Sequence, residues 1–422
     1  MTAPLADASL ARHVALDRRL LAAVKDIRVL GTLAWPASLE TRLIDDFRRQ
    51  HYRLPVVEYP RVDFTDARRE LLAIERAADP AQPLGLYLRR SAESWRLAAS
   101  LLEAAGTAAI TEPSITLYGR PGDALPGSEQ SNLDAARHFV ELADELGADL
   151  ARDEQPEAIS ATRLRAELAA RLDAFFGADV VKVEIDPELT AKAAAGASRI
   201  RLRDGAGFTR YDRHQLLAHE AFVHTLTAQN GRAQPHFASL ARTAPRATAT
   251  QEGLAVFAEL MSGAIDIVRL KRISLRILAI DCALNGADFV AVYRFFHDHG
   301  QGVEDSFHSA QRVFRGAPTC GGAAFTKDNV YLSGLLAVHT FFRWALKNQR
   351  MELTRYLFAG KLALADVVAL EPAFAAGSLM PPRHLPPWMQ HAHGLAGKLA
   401  FSLIANRIRM TRVESEDLAL PL

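Results

Sequence analysis

The chain has 422 residues, 49% hydrophobic and 23% charged, the balance of a globular protein that buries a core without disulfides or structural metals. With 50 basic residues against 49 acidic ones its net charge is +1, which excludes a global field for nucleic acid or anionic membrane, so an acidic partner must be read by a local pocket. Two cysteines, Cys282 and Cys320, make neither a disulfide framework nor a cysteine zinc site, and no apolar run reaches the ~18 residues of a membrane span; the expected setting is the reducing cytoplasm.

Apolar residues at helical spacing predict a helix over 7–27, carried by Leu10, Val14, Leu20, Leu21 and Val24. It lacks the uninterrupted apolar stretch of a secretory signal. The same periodicity predicts helices over 39–50, 64–79, 91–105, 131–151 and 158–176, with Pro55, Pro60, Pro80, Pro83, Pro113 and Pro121 as punctuation between them. Residues 107–130 read as loop, and the stretch around Pro156 reads as a hinge. The expected division is a mainly helical region 1–155 that covers the cleft and a catalytic region 156–422. Alternating β-branched residues predict strands at 180–186 (VVKVEID) and 198–204 (SRIRLRD), with a helical pattern over 189–196 between them. A turn at 205–212 follows, and Asp212 is the expected N-cap of the helix RHQLLAHEAFVHTLTAQN. Helices dominate from there to about residue 376, broken by the turn-rich PTCGGAAFTKD (318–328); a proline cluster, MPPRHLPPW, follows at 380–388. The fold class this order predicts is α+β, predominantly helical, with a small sheet preceding the helix that carries HEAFVH.

HEAFVH, residues 219–224, is a His-Glu-x-x-x-His sequence. Zinc peptidases usually space the two histidines at i and i+4, which lie only ~40° apart on an α-helix at ~100° per residue. The i+5 spacing here puts them ~140° apart. An α-helix therefore cannot aim His219 and His224 at one metal, whereas a π-type widening of the turn, or a loosening near Thr225, realigns them. Catalytic zinc takes three protein ligands and keeps one position open. The next helix, TATQEGLAVFAELM over 248–261, offers Glu252 as the third, 28 residues after His224. Thr248 and Gln251 form a capping-box pattern there, and Glu252 and Glu259 share a face. Gly253 costs helix propensity of about 1 kcal/mol, a cost that makes sense where a backbone must approach closely.

HExxxH, NGRAQP (230–235), QEGLA (251–255) and FTKDNVYLSG (325–334), in that order, resemble the QEGLA-motif family. Members of that family have been described as flavohaemoglobin expression-modulating proteins. Its animal relatives are the microtubule-associated tyrosine carboxypeptidases, zinc enzymes that remove the C-terminal tyrosine of α-tubulin. The resemblance implies a zincin-like metallopeptidase domain, one zinc per chain on His219, His224 and Glu252, and Glu220 as the catalytic base. Phe222 is bulkier than the small residue the family pattern favours, which bears on the pocket rather than on the metal.

A zinc centre of this composition activates water and polarises a carbonyl, and Glu220, beside a ligand on the same helix, is placed to carry the proton to the leaving amine. The expected reaction is hydrolysis of a C-terminal peptide bond of a peptide or protein, without nucleic acid or membrane. A carboxypeptidase also needs a cation for the terminal carboxylate, for which Arg312, Arg315 and Lys327 are candidates, while Tyr331 is a candidate donor to the oxyanion. Asn230, Arg232 and Glu259 are candidate supports of the ligands. His214, five before His219, would need a second distortion of the helix to reach the same metal, and His297, His299, His384, His391 and His393 lack a carboxylate partner at helical spacing; all are read as non-ligands. The competing expectations are a non-catalytic metal-binding regulatory protein and an endo- or aminopeptidase on the same scaffold.

Overall fold

Helices predominate in the computed structural model, which describes residues 3–150, 159–187, 189, 192–196, 198–390 and 392–405. The expected hinge at Pro156 lies outside the described residues. The N-terminal helices are α1 (Ala3–Ala23), α2 (Ala37–Arg48), α3 (Thr65–Ala77), α4 (Pro83–Glu103), α5 (Thr111–Tyr118) and α6 (Asn132–Leu150), followed by α7 (Ala161–Phe176). Two of these depart from the sequence expectation. Pro83 does not separate elements but sits at the first position of α4, where its missing N–H costs nothing. Likewise the stretch 107–130 is not all loop: Pro113 lies in the first turn of α5, where proline is tolerated.

The sheet content is small. Strands β1 (Ile159–Ser160) and β5 (Gly207–Phe208) pair antiparallel; β2 (Lys182–Asp186), β3 (Ala193–Ala195) and β4 (Arg199–Arg203) form a three-stranded sheet in the order β2-β4-β3. β2 runs parallel to β4, and β3 antiparallel to it. Ile200 and Leu202 of β4 are fully buried while Arg199, Arg201 and Arg203, which alternate with them, are not, the half-buried alternation that the sequence pattern required. The helix expected over 189–196 is replaced by β3. Its alanines favour a helix, but a segment this short cannot nucleate one, and pairing with β4 satisfies its backbone instead.

One continuous helical run follows: α8 (Arg210–Gln215), a π-helix (Leu216–Thr225) and α9 (Leu226–Arg232). Its N-cap is Thr209, not Asp212. The Thr209 hydroxyl accepts from the Asp212 amide at 3.0 Å and the Asp212 carboxylate accepts from the Thr209 amide at 2.9 Å. Asp212 thus completes the capping box from inside the first turn. The helices α10 (Thr248–Ser262), α11 (Ile267–Leu284), α12 (Phe289–Asp298), α13 (Val303–Phe314), α14 (Val330–Lys347) and α15 (Ala392–Ala405) complete the set that concerns the site.

The capping box expected of Thr248 and Gln251 does not form, because a 3-10 turn over Pro245–Ala247 runs directly into α10. Gln251 instead faces the π-helix run, its Oε1 3.1 Å from the Thr227 hydroxyl. Two buried clusters hold the helices. One joins α1, α4, the π-helix, α10 and α14. In the other, Phe47, Phe289, Phe307 and Tyr293 meet edge to face, and Leu275, Ile280, Val313 and Phe314 fix α11 and α13 against each other.

Candidate metal centre

In the π-helix the two imidazoles of HEAFVH come together, their ring centroids 4.8 Å apart. Widening the turn toward i→i+5 does what the spacing demands. The wider turn has support from its surroundings. The Thr225 hydroxyl donates to the Gly196 carbonyl at 2.9 Å, tying the end of the π-helix to the β3–β4 connection. The buried Lys361 ammonium donates to the His224 carbonyl at 2.8 Å. Phe222 turns away from the imidazoles and packs on Phe175 of α7.

Glu252 arrives from α10. His219 Nε2 and His224 Nε2 lie 3.6 Å and 3.5 Å from the same oxygen, Glu252 Oε2. These three ligand atoms lie within 4.8 Å of one another and are the one such group of histidines, cysteines or carboxylates among the described residues. His214 is not in it; it sits beside Arg213. What brings α10 so close is the small residue next to Glu252. A Cβ on Gly253 would lie 2.1 Å from the Gly334 carbonyl carbon, and one on Gly334 would lie 2.2 Å from the Ala249 carbonyl oxygen. Only paired glycines let α10 and α14 cross at that distance.

Each ligand candidate has a fixed partner. His219 Nδ1 donates to Glu259 Oε1 at 2.7 Å, which leaves Nε2 to face Glu252. Glu259, fully buried, also accepts two hydrogen bonds from Arg269, both at 3.2 Å. Lys327 Nζ donates to Glu252 Oε1 at 3.0 Å, on the far side of the carboxylate from the imidazoles. Burial pushes the Glu252 carboxyl up, but Lys327 and the two imidazoles outweigh it and hold it well below the usual range. Burial likewise disfavours a charged His219, yet its bonds to Glu252 and Glu259 raise it to about 10. For His224 burial wins and its pKa falls. The carboxylates thus draw positive charge to the space between the imidazoles. Two imidazole nitrogens and one carboxylate oxygen, already converged and held from behind, are a donor set that fits a divalent zinc ion.

Glu220 makes no hydrogen bond or ion pair among the described residues and lines a cleft of about 1920 Å³ together with His219 and Tyr331. Arg276, Arg312 and Arg315 line the same cleft. Arg312 grips Asp328 through two bonds, at 2.5 Å and 2.7 Å, and reaches the Tyr331 hydroxyl at 3.5 Å. Asn230 is buried away from the imidazoles; its amide donates to the carbonyls of Phe358 and His384 at 2.7 Å and 2.8 Å and so pins two loops. Arg232 is exposed at the end of α9 and reaches none of these groups. His384 packs on Phe175 and Phe176, and the His299 ring bonds the Phe295 carbonyl; His391 lies outside the described residues.

Sequence reasoning misses three residues at this site. Arg269 and Arg276 lie seven apart on α11, and their signal is the run of arginines on an otherwise apolar helix. Lys361 is a lone lysine in the apolar stretch FAGKLALA, and nothing local marks it as a partner of the π-helix.

The chain is thus a mainly helical α+β protein in which the π-helix and a neighbouring helix bring two histidines and a glutamate together. The family model described as microtubule-associated tyrosine carboxypeptidase matches residues 45–407, and the chain belongs to that family. Among solved structures, a chain from Colwellia psychrerythraea described as a lipoprotein is similar over 81% of this chain and 66% of its own length, at 14% identity and a TM-score of 0.41. A comparison with curated proteins gives no match.

Proposed function

We propose that the chain is a zinc-dependent carboxypeptidase that hydrolyses the last peptide bond of a peptide or protein. The observation that carries this is the convergence of His219, His224 and Glu252 beside an uncommitted Glu220 in an open cleft. Family membership supports the carboxypeptidase reading, since the family is described by that activity. The order of small sheet, then histidine helix, then glutamate helix supports a zincin-like arrangement, and the QEGLA segment at 251–255 supports kinship with the proteins that share that motif. Two free cysteines fit a reducing compartment, and no described helix is long and apolar enough to cross a membrane.

His219, His224 and Glu252 would hold the zinc, which when bound supplies the Lewis acidity that activates water and polarises a carbonyl. The chain's own residues do the rest. Glu259 fixes the His219 tautomer, and Lys327 holds the second Glu252 oxygen. Glu220, half-buried and unpaired, takes a proton at its carboxylate and returns it to the leaving amine. A structural zinc site has no use for such a base and closes all four positions.

The test is metal content of the protein purified without added metal, for wild type, His219→Ala, Glu252→Ala and Glu220→Gln, alongside turnover of a broad C-terminal peptide library. The expected result is about one zinc per chain, lost in the first two variants and kept in the third, with turnover in wild type only. A folded wild type that takes up no zinc sinks the proposal. Zinc without turnover on any peptide would favour a non-catalytic metal-binding regulatory protein.

A further inference from the structure

NGRAQP (230–235) and Gln251 of QEGLA supply no metal ligand; both act instead on one segment, residues 358–364. The Asn230 amide donates to the Phe358 carbonyl at 2.7 Å, and the Gln234 amide to the Ala359 carbonyl at 3.1 Å. The Lys361 backbone N–H donates to the Leu240 carbonyl at 2.7 Å. The Gln251 amide donates to the Leu362 carbonyl at 3.4 Å, and the Leu364 N–H to the Thr250 hydroxyl at 3.0 Å. Gly360 lets this strap lie flush on Leu240, because a Cβ there would come within 2.9 Å of the Leu240 Cβ and carbonyl oxygen.

The strap's one charged residue, Lys361, is buried, with 7% of its surface exposed. Among the described residues its ammonium has no ion pair within 4.0 Å and one hydrogen bond, to the His224 carbonyl at 2.8 Å. A lysine so placed carries a desolvation cost that a methionine of similar length would avoid. What it touches explains the cost. Where i→i+5 bonding gives way to i→i+4, two successive carbonyls compete for the same amide, so a carbonyl at the junction needs another donor. The π-helix ends at Thr225, and the side-chain donors gather there. The Thr227 hydroxyl lies 2.7 Å from the Val223 carbonyl and 3.3 Å from that of His224, and Lys361 completes the set on His224.

We propose that Lys361 is the positioning residue of the π-helix. Its ammonium holds the His224 carbonyl in the wide-turn geometry, and Asn230, Gln234 and Gln251 seat the strap that delivers it. With the turn held wide, His224 meets His219; in an α-helical turn the two would lie ~140° apart around the axis. The inference rests on the metal-site reading for the use of this geometry, and its test does not depend on turnover.

The test compares the full-length wild type with Lys361→Met, Lys361→Arg and Gly360→Ala. Three quantities are read: zinc affinity by chelator competition, visible absorption of the cobalt(II)-loaded protein, and amide hydrogen exchange over 219–230 in the zinc-free protein. In Lys361→Met zinc affinity should fall at least about tenfold, as when a partner of a metal ligand is removed. The cobalt bands should weaken as His224 gives way to water, and exchange over 224–230 should quicken. The melting temperature of the zinc-free chain should hold or rise, since an apolar side chain replaces a buried charge. Lys361→Arg keeps a cationic donor and should recover part of the affinity. Gly360→Ala, whose Cβ pushes the strap off Leu240, should lose affinity with Lys361 still present, and it decides the matter if Lys361→Met fails to fold. Wild-type zinc affinity and cobalt bands in the deciding variant overturn the proposal. Affinity lost together with a lower melting temperature, and no recovery in Lys361→Arg, marks a merely structural lysine and overturns it too. A wild type that takes up no zinc ends the metal reading; exchange then decides for Lys361, and equal rates in wild type and the deciding variant overturn its role.

Discussion

Replacing Gly253 by alanine tests whether the helix crossing positions the metal ligand. The new Cβ would fall 2.1 Å from the Gly334 carbonyl carbon and 2.3 Å from its oxygen, both backbone atoms that cannot rotate aside. To reach 3.4 Å, the near edge of ordinary contact, α10 and α14 must part by about 1.3 Å. Metal ligands tolerate displacements of only ~0.2 Å, and Glu252 is the next residue along the helix. Stability responds less. Alanine regains about 1 kcal/mol of helix propensity and overpacking costs about 1–3 kcal/mol, so the net loss is roughly 0–2 kcal/mol. In a chain of this size that lowers the melting temperature by only a few degrees. Zinc affinity, measured by competition with a calibrated chelator, should fall at least about 100-fold, or ~2.7 kcal/mol. Gly334→Ala, which meets the Ala249 carbonyl oxygen at 2.2 Å, should behave in the same way from the other side. Wild-type zinc affinity in both variants would refute the argument that the glycine pair sets the position of Glu252.

Glu259→Gln should weaken zinc about 10–100-fold by freeing the His219 ring, and lower stability by about 3–5 kcal/mol by leaving Arg269 buried without its charge partner; chelator competition and urea unfolding measure the two effects. Asp328→Asn tests the ion cluster by pH. Burial pushes this carboxyl up, but Arg312 and Arg276 hold it well below its unfolded value of about 3.9, so its contribution is complete above that value and is lost as pH falls through the folded one. The variant should be less stable than wild type by about 3–5 kcal/mol at pH 7, with the gap narrowing below about pH 4; a gap constant from pH 7 to pH 3 would rule this out. Thr209→Ala removes the capping box ahead of the π-helix and should cost about 1 kcal/mol in thermal unfolding without changing zinc content.

Features governed by local periodicity are legible in the sequence. The helices around 39–50, 64–79 and 131–151 lie within two residues of their observed bounds and that at 7–27 is offset by four, while β2 and β4 fall inside the expected strands, with a clean alternation of burial in β4. That the helix must depart from α geometry is legible too, since two histidines five apart need a π-type widening or a loosening near Thr225 to meet; the structure takes the first. Errors arise where a residue has two uses and tertiary contacts choose between them. Proline breaks helices and also starts them, so Pro83 and Pro113 mislead when read as punctuation. Three alanines at 193–195 favour a helix, yet they pair as a strand with Arg199–Arg203, a partner that local periodicity does not reveal. Thr209 and Asp212 are both good caps, and only the chain's direction into α8 decides which lies outside the first turn.

The substrate side of the site is less legible, for a reason that concerns charge rather than shape. Residue type and nearness in sequence nominate Arg312, Arg315 and Lys327 as free cations. Whether a cation is free depends on which anions reach it, and that is set by the fold. Asp328 adjoins Lys327 in sequence but is held by Arg312 from another helix, while Lys327 turns to Glu252 of α10. Arg276 then shares Asp328 with Arg312, at 3.6 Å, from α11, a helix whose other buried side chains are mostly apolar. An arginine retained in such a place carries a desolvation cost that packing alone does not offset.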